Sequence, residues 1–452
     1  MNDELYYPHG HSWRVKWCRW LGRVALQVIF VLLAAPGHAQ SFTRLETAAD
    51  QASAKGRYAE AAPFYEQAAR LRENRPGTMA QAAECYYLLR DYAKAAECYG
   101  LAEPALAKND LARLRYGRSL KQAGQPAEAM AVLRQLAASY TGADREQVAA
   151  AANLELAGCH LALQFAEDQN LTNTSLFISR LPDSLNSLEN ELAPIRWADD
   201  VLYFFTKAGG HTELVRSLRS NGYWQSPRPA AGLPAAVQSD LGSGTLAADG
   251  RRFYYTRCPE EQISAKGYPD CVLLVTRRTA ADAWSEPEAL RDYVNLSGAT
   301  ILTPFVIYTA ERELLFFASD RPGGFGGLDL YGCERPLDAD DLDFSFPQNL
   351  GPSVNTAGDE LAPFFDPVSA NLWFSSNGHI SLGGLDIFRA RTVPGGWDRP
   401  QRLPLPINSS ADDLFFVPDR TGRGGLLVSN RLFGAAKNST RHNDLFEVQP
   451  LR

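Results

Sequence analysis

Three histidines, His211, His379 and His442, fall in equivalent loops of a repeating pattern, each between two strand-like runs. Asp320, Asn377 and Asn430 occupy matching loops, so all six belong to one end of the molecule, its loop face. Imidazole and carboxylate groups that converge from several loops can do general acid–base work, and histidine titrates nearest neutrality. The spacing argues for less, because each loop contributes a single histidine. No G-x-S-x-G elbow, H-E-x-x-H helix or phosphate-cradling Gly-Lys-Ser/Thr loop occurs. No unit has the dense run of carboxylates that a calcium loop needs, so Asp320 and Asp329 read as turn-forming. The sequence therefore predicts no catalytic residue, no metal and no cofactor. The alternative is an enzyme acting on envelope glycans or peptides from the loop face, with His379 and Asp320 as the groups to change.

The pattern that positions these loops is a beat of 57 to 59 residues. An acidic residue followed by two mostly apolar ones recurs as Glu213-Leu-Val215, Asp270-Cys-Val272, Asp329-Leu-Tyr331, Asp386-Ile-Phe388 and Asp444-Leu-Phe446. An aromatic run such as Leu202-Tyr-Phe-Phe205 or Leu372-Trp-Phe-Ser-Ser376 precedes each of them. An aromatic-x-x-Pro signal follows, as at Trp224, Trp284, Phe344 and Trp397. Short strands at even spacing, the second apolar throughout, predict four-stranded sheets packed radially as propeller blades. Proline at the start of the fourth strand suits an outer edge, where a missing N–H is tolerated. The fifth unit lacks a fourth strand. Arg180-Leu-Pro-Asp-Ser-Leu-Asn-Ser187 reads like Arg402-Leu-Pro-Leu-Pro-Ile-Asn-Ser409, so residues 175–183 are expected to complete that blade and close the ring. Gly-Gly pairs before Asp329 and Asp386 read as turns with positive φ. Asp329, Asp386 and Asp444 are expected to accept backbone hydrogen bonds that set the loop.

Upstream the beat is 34 residues, in Tyr58-Ala-Glu-Ala61, Tyr92-Ala-Lys-Ala95 and Pro126-Ala-Glu-Ala129. Small residues at fixed places (Ala49, Ala83, Gly117; Ala61, Ala95, Ala129) let antiparallel helices approach, and Tyr65, Tyr99 and Leu133 fill the adjacent gaps. Gly56, Gly124 and Gly158 read as turns between helices, with Arg90 in place of glycine in the second unit. This half resembles the tetratricopeptide repeat, with three repeats and a capping helix. The resemblance implies a concave groove lined by first helices, with Glu84, Tyr87, Leu88, Leu111, Leu114, Arg118 and Lys121 facing a partner. Arg118 and Lys121 would then meet a partner's carboxylates. Filling of the concave face by the neighbouring propeller is the competing expectation.

Residues 24–35 are almost purely apolar and follow Arg14, Lys16, Arg19 and Arg23. At 12 residues the run is short of the roughly 20 that span a bilayer, and it reads as a secretory signal cleaved after Ala39. No cysteine follows it until Cys85, which argues against a lipid anchor. The formal charge of −7 becomes −9 without that segment, since four basic and two acidic residues leave with it. Nucleic acid and anionic membrane surfaces are disfavoured as partners. Export permits disulfides. Cys258 and Cys271, at the base of a predicted hairpin, are the one pair expected to bond.

Ser319-Asp-Arg-Pro-Gly-Gly-Phe-Gly-Gly-Leu-Asp-Leu-Tyr331 and Ser376-Asn-Gly-His-Ile-Ser-Leu-Gly-Gly-Leu-Asp-Ile-Phe388 resemble PD40, or WD40-like, repeats of exported bacterial proteins. Helical repeats before such a propeller are similar to the front part of envelope proteins associated with type IX secretion. Members of that group often end in an OmpA-like peptidoglycan-binding domain; here the sequence stops after the fifth unit. The expectation is an α plus all-β chain: a signal (1–39), a tetratricopeptide-like solenoid (42–168) and a five-bladed propeller closed by an N-side strand (171–452). Its expected role is a non-catalytic scaffold or protein-binding module, periplasmic or outer-membrane-associated. Its partners would be envelope or secretion-complex proteins, with peptidoglycan reached only through a partner and no transmembrane segment after cleavage.

Overall fold

The computed structural model describes residues 38–71, 75–106, 110–167, 175–208, 211–233, 241–258, 268–280, 283–432 and 442–451. The predicted signal lies outside these, except for its last two positions. Seven described helices come first: α1 (His38–Ser53), α2 (Tyr58–Leu71), α3 (Pro76–Leu88), α4 (Tyr92–Leu106), α5 (Asp110–Gln122), α6 (Pro126–Ser139) and α7 (Arg145–Glu167). Each packs on the next in a solenoid-like stack. Ala49, Ala61, Ala83, Ala95 and Ala129 are fully buried, and Tyr65, Tyr99 and Leu133 fill the space beside them. A polar bond repeats with the same period: Tyr65 Oη donates to Asp50 Oδ1 at 2.7 Å and Tyr99 Oη to Glu84 Oε1 at 2.8 Å. Arg118 and Leu133 hold those two places in the third unit. Among the described residues no helix is long and apolar enough to cross a membrane.

The turns inside the repeats need left-handed backbone. Gly56 and Gly124 take φ of 69° and 79°, and Arg90 takes 59° in the equivalent turn. A non-glycine residue there is strained unless something holds it. Arg90 is held, since its guanidinium reaches Asp412 of the propeller at 3.0 Å. Gly158 does not mark a turn. It lies inside α7, which continues unbroken for 23 residues.

The rest of the described chain forms five sheets in a ring, a five-bladed β-propeller. The inner strands are Glu191–Ala198, Leu241–Leu246, Ile301–Tyr308, Glu360–Asp366 and Asp413–Pro418, in blades 1 to 5. Second strands carry the core: Phe204, Phe205, Phe253, Tyr254, Tyr255, Phe317 and Leu372 have no exposed surface. Leu176–Arg180 pairs antiparallel with Asp444–Pro450, from Leu176 opposite Pro450 to Arg180 opposite Phe446. A strand from just behind the helices thus completes the last blade. Arg180 Nε donates to Asp444 Oδ2 at 2.7 Å, locking the closure.

Outer strands in the other blades are pieces of two residues, shorter than the sequence suggests. Proline next to them donates no ladder bond. In blades 2 to 5, the last one with its full outer strand included, an asparagine amide extends the pairing. Asn186, Asn295, Asn355 and Asn408 each accept from a backbone N–H of a third strand and donate to the carbonyl of the same residue. The eight distances run from 2.7 to 3.0 Å, so the buried backbone groups there are fully satisfied.

The predicted role of the acidic residues holds in blades 3 and 4. Asp329 accepts from the amides of Phe325 and Gly326, and Asp386 from those of Leu382 and Gly383. Burial pushes the Asp386 carboxyl up to about 7 despite those donors. The same cause lifts Glu360 to about 7. Of the Gly-Gly pairs before Asp329 and Asp386, only Gly323 in blade 3 takes the expected positive φ, at 90°. Gly383 and Gly384 do not take positive φ; they are small because the chain passes close by. A Cβ on Gly383 would lie 2.2 Å from the Ala411 carbonyl oxygen, and one on Gly384 2.0 Å from Asp412 Oδ1. Cys258 and Cys271 are joined by a disulfide with S–S 2.03 Å.

Candidate functional site

Second strands end where inner strands begin, as the pairing of Glu191 with Thr206 and Glu360 with Ser376 requires. The loops into the third strands therefore share one end of the ring, and the turns from inner to second strand share the other. The six residues predicted for the loop face do lie at the first end, but each is engaged within the propeller itself. Asn377 Oδ1 accepts the amide of Asp359, and Asn430 Oδ1 that of Asp412. Asp320 accepts the Thr300 amide at 2.7 Å. His379 packs against Phe374 and Phe388, and its Nε2 donates to the Val354 carbonyl at 2.9 Å. Burial holds its pKa below the usual histidine value. His211 sits 3.2 Å from Glu213, and His442 Nδ1 donates to the Leu188 carbonyl. No metal-holding group of three acidic, histidine or cysteine side chains forms among the described residues.

The helical stack stands on this same end. Lys121 Nζ donates to Ser381 Oγ at 3.2 Å, and Arg90 meets Asp412. Arg402 lies over the Phe165 ring. A Cβ on Gly158 would come within 2.3 Å of the Ser381 carbonyl oxygen, so α7 touches the blade 4 loop backbone to backbone.

This contact changes the reading of the groove. Arg118 Nε and Lys121 Nζ lie 2.7 and 2.5 Å from Glu155 of α7, and Lys121 is buried. Neither is left for a partner's carboxylate. The cause is Arg118 itself, whose counterpart acids in the earlier units take a tyrosine hydroxyl instead. Glu84 accepts from Tyr99 and from Arg115. Tyr87 packs edge-on against Tyr92 beneath the Arg115 guanidinium. Leu114 is buried in the helical core, whereas Leu88 and Leu111 are exposed.

The propeller's open cavity lies on its axis and faces the opposite end. It encloses about 390 Å³, and inner strands of all five blades line it. Each inner strand has a register shift at one level: Leu192/Ile195, Leu241/Gly244, Leu302/Phe305, Leu361/Phe364 and Leu414/Val417. Ala193, Thr303, Ala362 and Phe415 take φ of 45° to 53° there, a conformation costly for residues with side chains. Hydroxyls from neighbouring blades hold two of these bulges. Thr303 N donates to Ser243 Oγ at 3.1 Å and Ala362 N to Thr303 Oγ1 at 2.9 Å. From that level the lining runs through Ile195, Leu246, Phe305 and Phe364 to a mouth at Trp197, Asp199 and Arg420.

Among the described residues, the charged ones of the lining are Arg196, Asp199 and Arg420. Arg420 Nε is 3.9 Å from Asp199 Oδ1, both well exposed. Arg196 lines the cavity 3.5 Å from Glu447, and its buried Nε has no hydrogen-bond partner among the described residues. The sequence reading missed this site. The available signal was proline at the same place in three inner strands, Pro194, Pro304 and Pro363, since proline inside a strand demands a bulge.

No protein-family model matches the chain, and no curated protein does. Solved structures do show likeness. An alpha-L-arabinofuranosidase from Lactobacillus brevis is 15% identical at a TM-score of 0.38, covering 60% of this chain and 94% of that one. An endo-arabinase from Bacteroides thetaiotaomicron is 16% identical at 0.38, covering 60% and 97%. An alpha-L-arabinofuranosidase from Fusarium graminearum is 9% identical at 0.38, covering 62% and 99%. The expectation of a non-catalytic scaffold is overturned by this comparison. It rested on the lack of a familiar motif, and the solved structures named here are enzymes, so the lack of a motif does not exclude turnover. No substrate or residue role passes across at these scores.

Proposed function

We propose that the chain acts on an acidic glycan, held in the axial cavity at the end of the propeller away from the helices. The cavity lining carries this reading. Its size falls in the ~300–1,000 Å³ range of small-molecule sites, and its walls are aliphatic and aromatic with a few polar groups at one end. A sugar ring offers apolar C–H faces to Trp197, Phe305 and Phe364. A uronic acid adds a carboxylate for the two guanidinium groups of the lining, Arg196 and Arg420. Asp199 is the one carboxylate in the lining among the described residues, placed at the mouth to exchange a proton with the bound sugar.

The secretory-type segment at residues 24–35 supports export to a compartment where such glycans occur. The 34-residue register supports a tetratricopeptide identity for the helices, and the Gly-Gly-Leu-Asp strings a PD40 identity for the blades. On this reading the stack is a fixed cover over the loop face.

Titration of tryptophan fluorescence with trigalacturonate and with neutral maltotriose tests the reading. The acidic trimer should bind at least tenfold more tightly, and W197A or R196Q should weaken it at least tenfold. D199N should keep binding and lose the release of new reducing ends. Equal affinity for both sugars, or binding untouched by W197A and R196Q, would rule the reading out.

A further inference from the structure

The axial cavity is open at its mouth and closed at its level of bulges. Its lining ends at Ala193, Ser243, Thr303, Ala362 and Phe415, and no residue nearer the helices contributes. The next residue on that side is leucine in four blades, Leu192, Leu302, Leu361 and Leu414; in blade 2 it is Gly242, with Leu241 just before it. Leu192 and Phe415 pack into two separate core clusters, the one spanning blades 5 and 1 and the one spanning blades 1 and 2. Leu361 likewise joins the clusters of blades 3, 4 and 5. At this level the side chains of Leu192, Leu361 and Phe415 knit the blades together. Beyond them Glu191, Glu360 and Asp413, the first residues of three inner strands, are wholly buried.

A linear polymer can enter a blind hole only by its end. We infer that the cavity selects the terminus of a glycan chain and rejects internal stretches, so that action on the polymer proceeds from one end. The inference rests on the glycan reading of the cavity. From Ile195 to Ala198 the wall is about 10 Å deep at ~3.3 Å per residue. That depth accepts a terminal sugar and leaves the following ones at the rim, where Trp197 and Arg420 stand. A stretch from mid-chain would have to bring two strands of polymer through the same mouth, or leave through the leucine layer.

The test uses hexagalacturonate in four forms: free, with a bulky tag on either one of its ends, and with bulky tags on both. Each competes against trigalacturonate for the full chain, read by tryptophan fluorescence. The free hexamer should bind like the trimer, and the doubly tagged form should lose at least tenfold in affinity. One of the two singly tagged forms should retain binding, which identifies the inserted end. Equal binding of the free and doubly tagged hexamers would overturn end selection while leaving the glycan reading intact. Failure of every form, the trimer included, would overturn both.

Discussion

Replacing Arg180 by alanine is expected to destabilise the whole propeller by about 3–5 kcal/mol. The guanidinium binds Asp444 through Nε and Nη2 at 2.7 and 3.3 Å, and the Asp444 side chain is 4% exposed. Removing one partner of such a pair leaves an uncompensated charge in the interior. The location enlarges the effect. Among the described residues, Arg180 ends the one strand that joins the chain behind the helices to the last blade, so loosening it opens the ring. The pair recurs more loosely in blade 4, where Arg402 stands 4.0 Å from Asp386. A double variant, R180A with D444N, should recover part of the loss, because the second change removes the stranded charge. Urea unfolding of the three proteins measures this. A shift below about 0.5 kcal/mol for R180A, the level of an exposed ion pair, would contradict the closure argument.

The second large effect is expected at Gly158. In an exposed helix, glycine to alanine gains about 1 kcal/mol. Here a Cβ would sit 2.3 Å from a backbone oxygen of Ser381 and 3.2 Å from Lys121 Nζ. Overpacking of that kind costs about 1–3 kcal/mol, and backbone cannot swing aside as a side chain does. Steric cost should win, so G158A should be less stable than the parent. G158L should push α7 off the blade 4 loop altogether, removing the Lys121–Ser381 bond and straining the Arg90–Asp412 pair with it. Unfolding would then separate into two transitions, one for the stack and one for the propeller. A G158A protein more stable than the parent would show that the two parts do not meet at this point.

Much of the architecture was legible because it is periodic. The small residues at 61, 95 and 129 lie 34 apart for a packing reason, and acidic residues every 57 to 59 mark where each third strand begins. The closing strand was visible as an echo of Arg402-Leu-Pro in Arg180-Leu-Pro. What escaped was anything set by contact between periodic parts. Gly158 occupies a turn position by register, yet its helix runs on, since the propeller rather than a next helix lies against it. Gly383 and Gly384 look like turn glycines, yet they make room for the chain at Ala411 and Asp412. Arg118 and Lys121 look like free cations of a groove until Glu155 arrives from α7.

The cavity escaped for a related reason. Its walls come one strand from each blade, and Leu-Ala-Pro-Ile and Leu-Ala-Pro-Phe read as ordinary apolar strands when taken singly. Only the five together show that proline and the bulge recur at one level around the axis. The loop-face residues were conspicuous for the opposite reason. His379, Asn377 and Asn430 are polar, regularly placed and in loops, yet their hydrogen bonds are spent on fixing those loops.

Amide hydrogen exchange with and without trigalacturonate tests the central claim most directly, because it reports the location of binding without any variant. The account predicts slowed exchange in the turns that bear Trp197, Asp199 and Arg420, with residues 377–384 and 430 unchanged. Protection confined to the loop face, or no protection anywhere at saturating sugar, would contradict it.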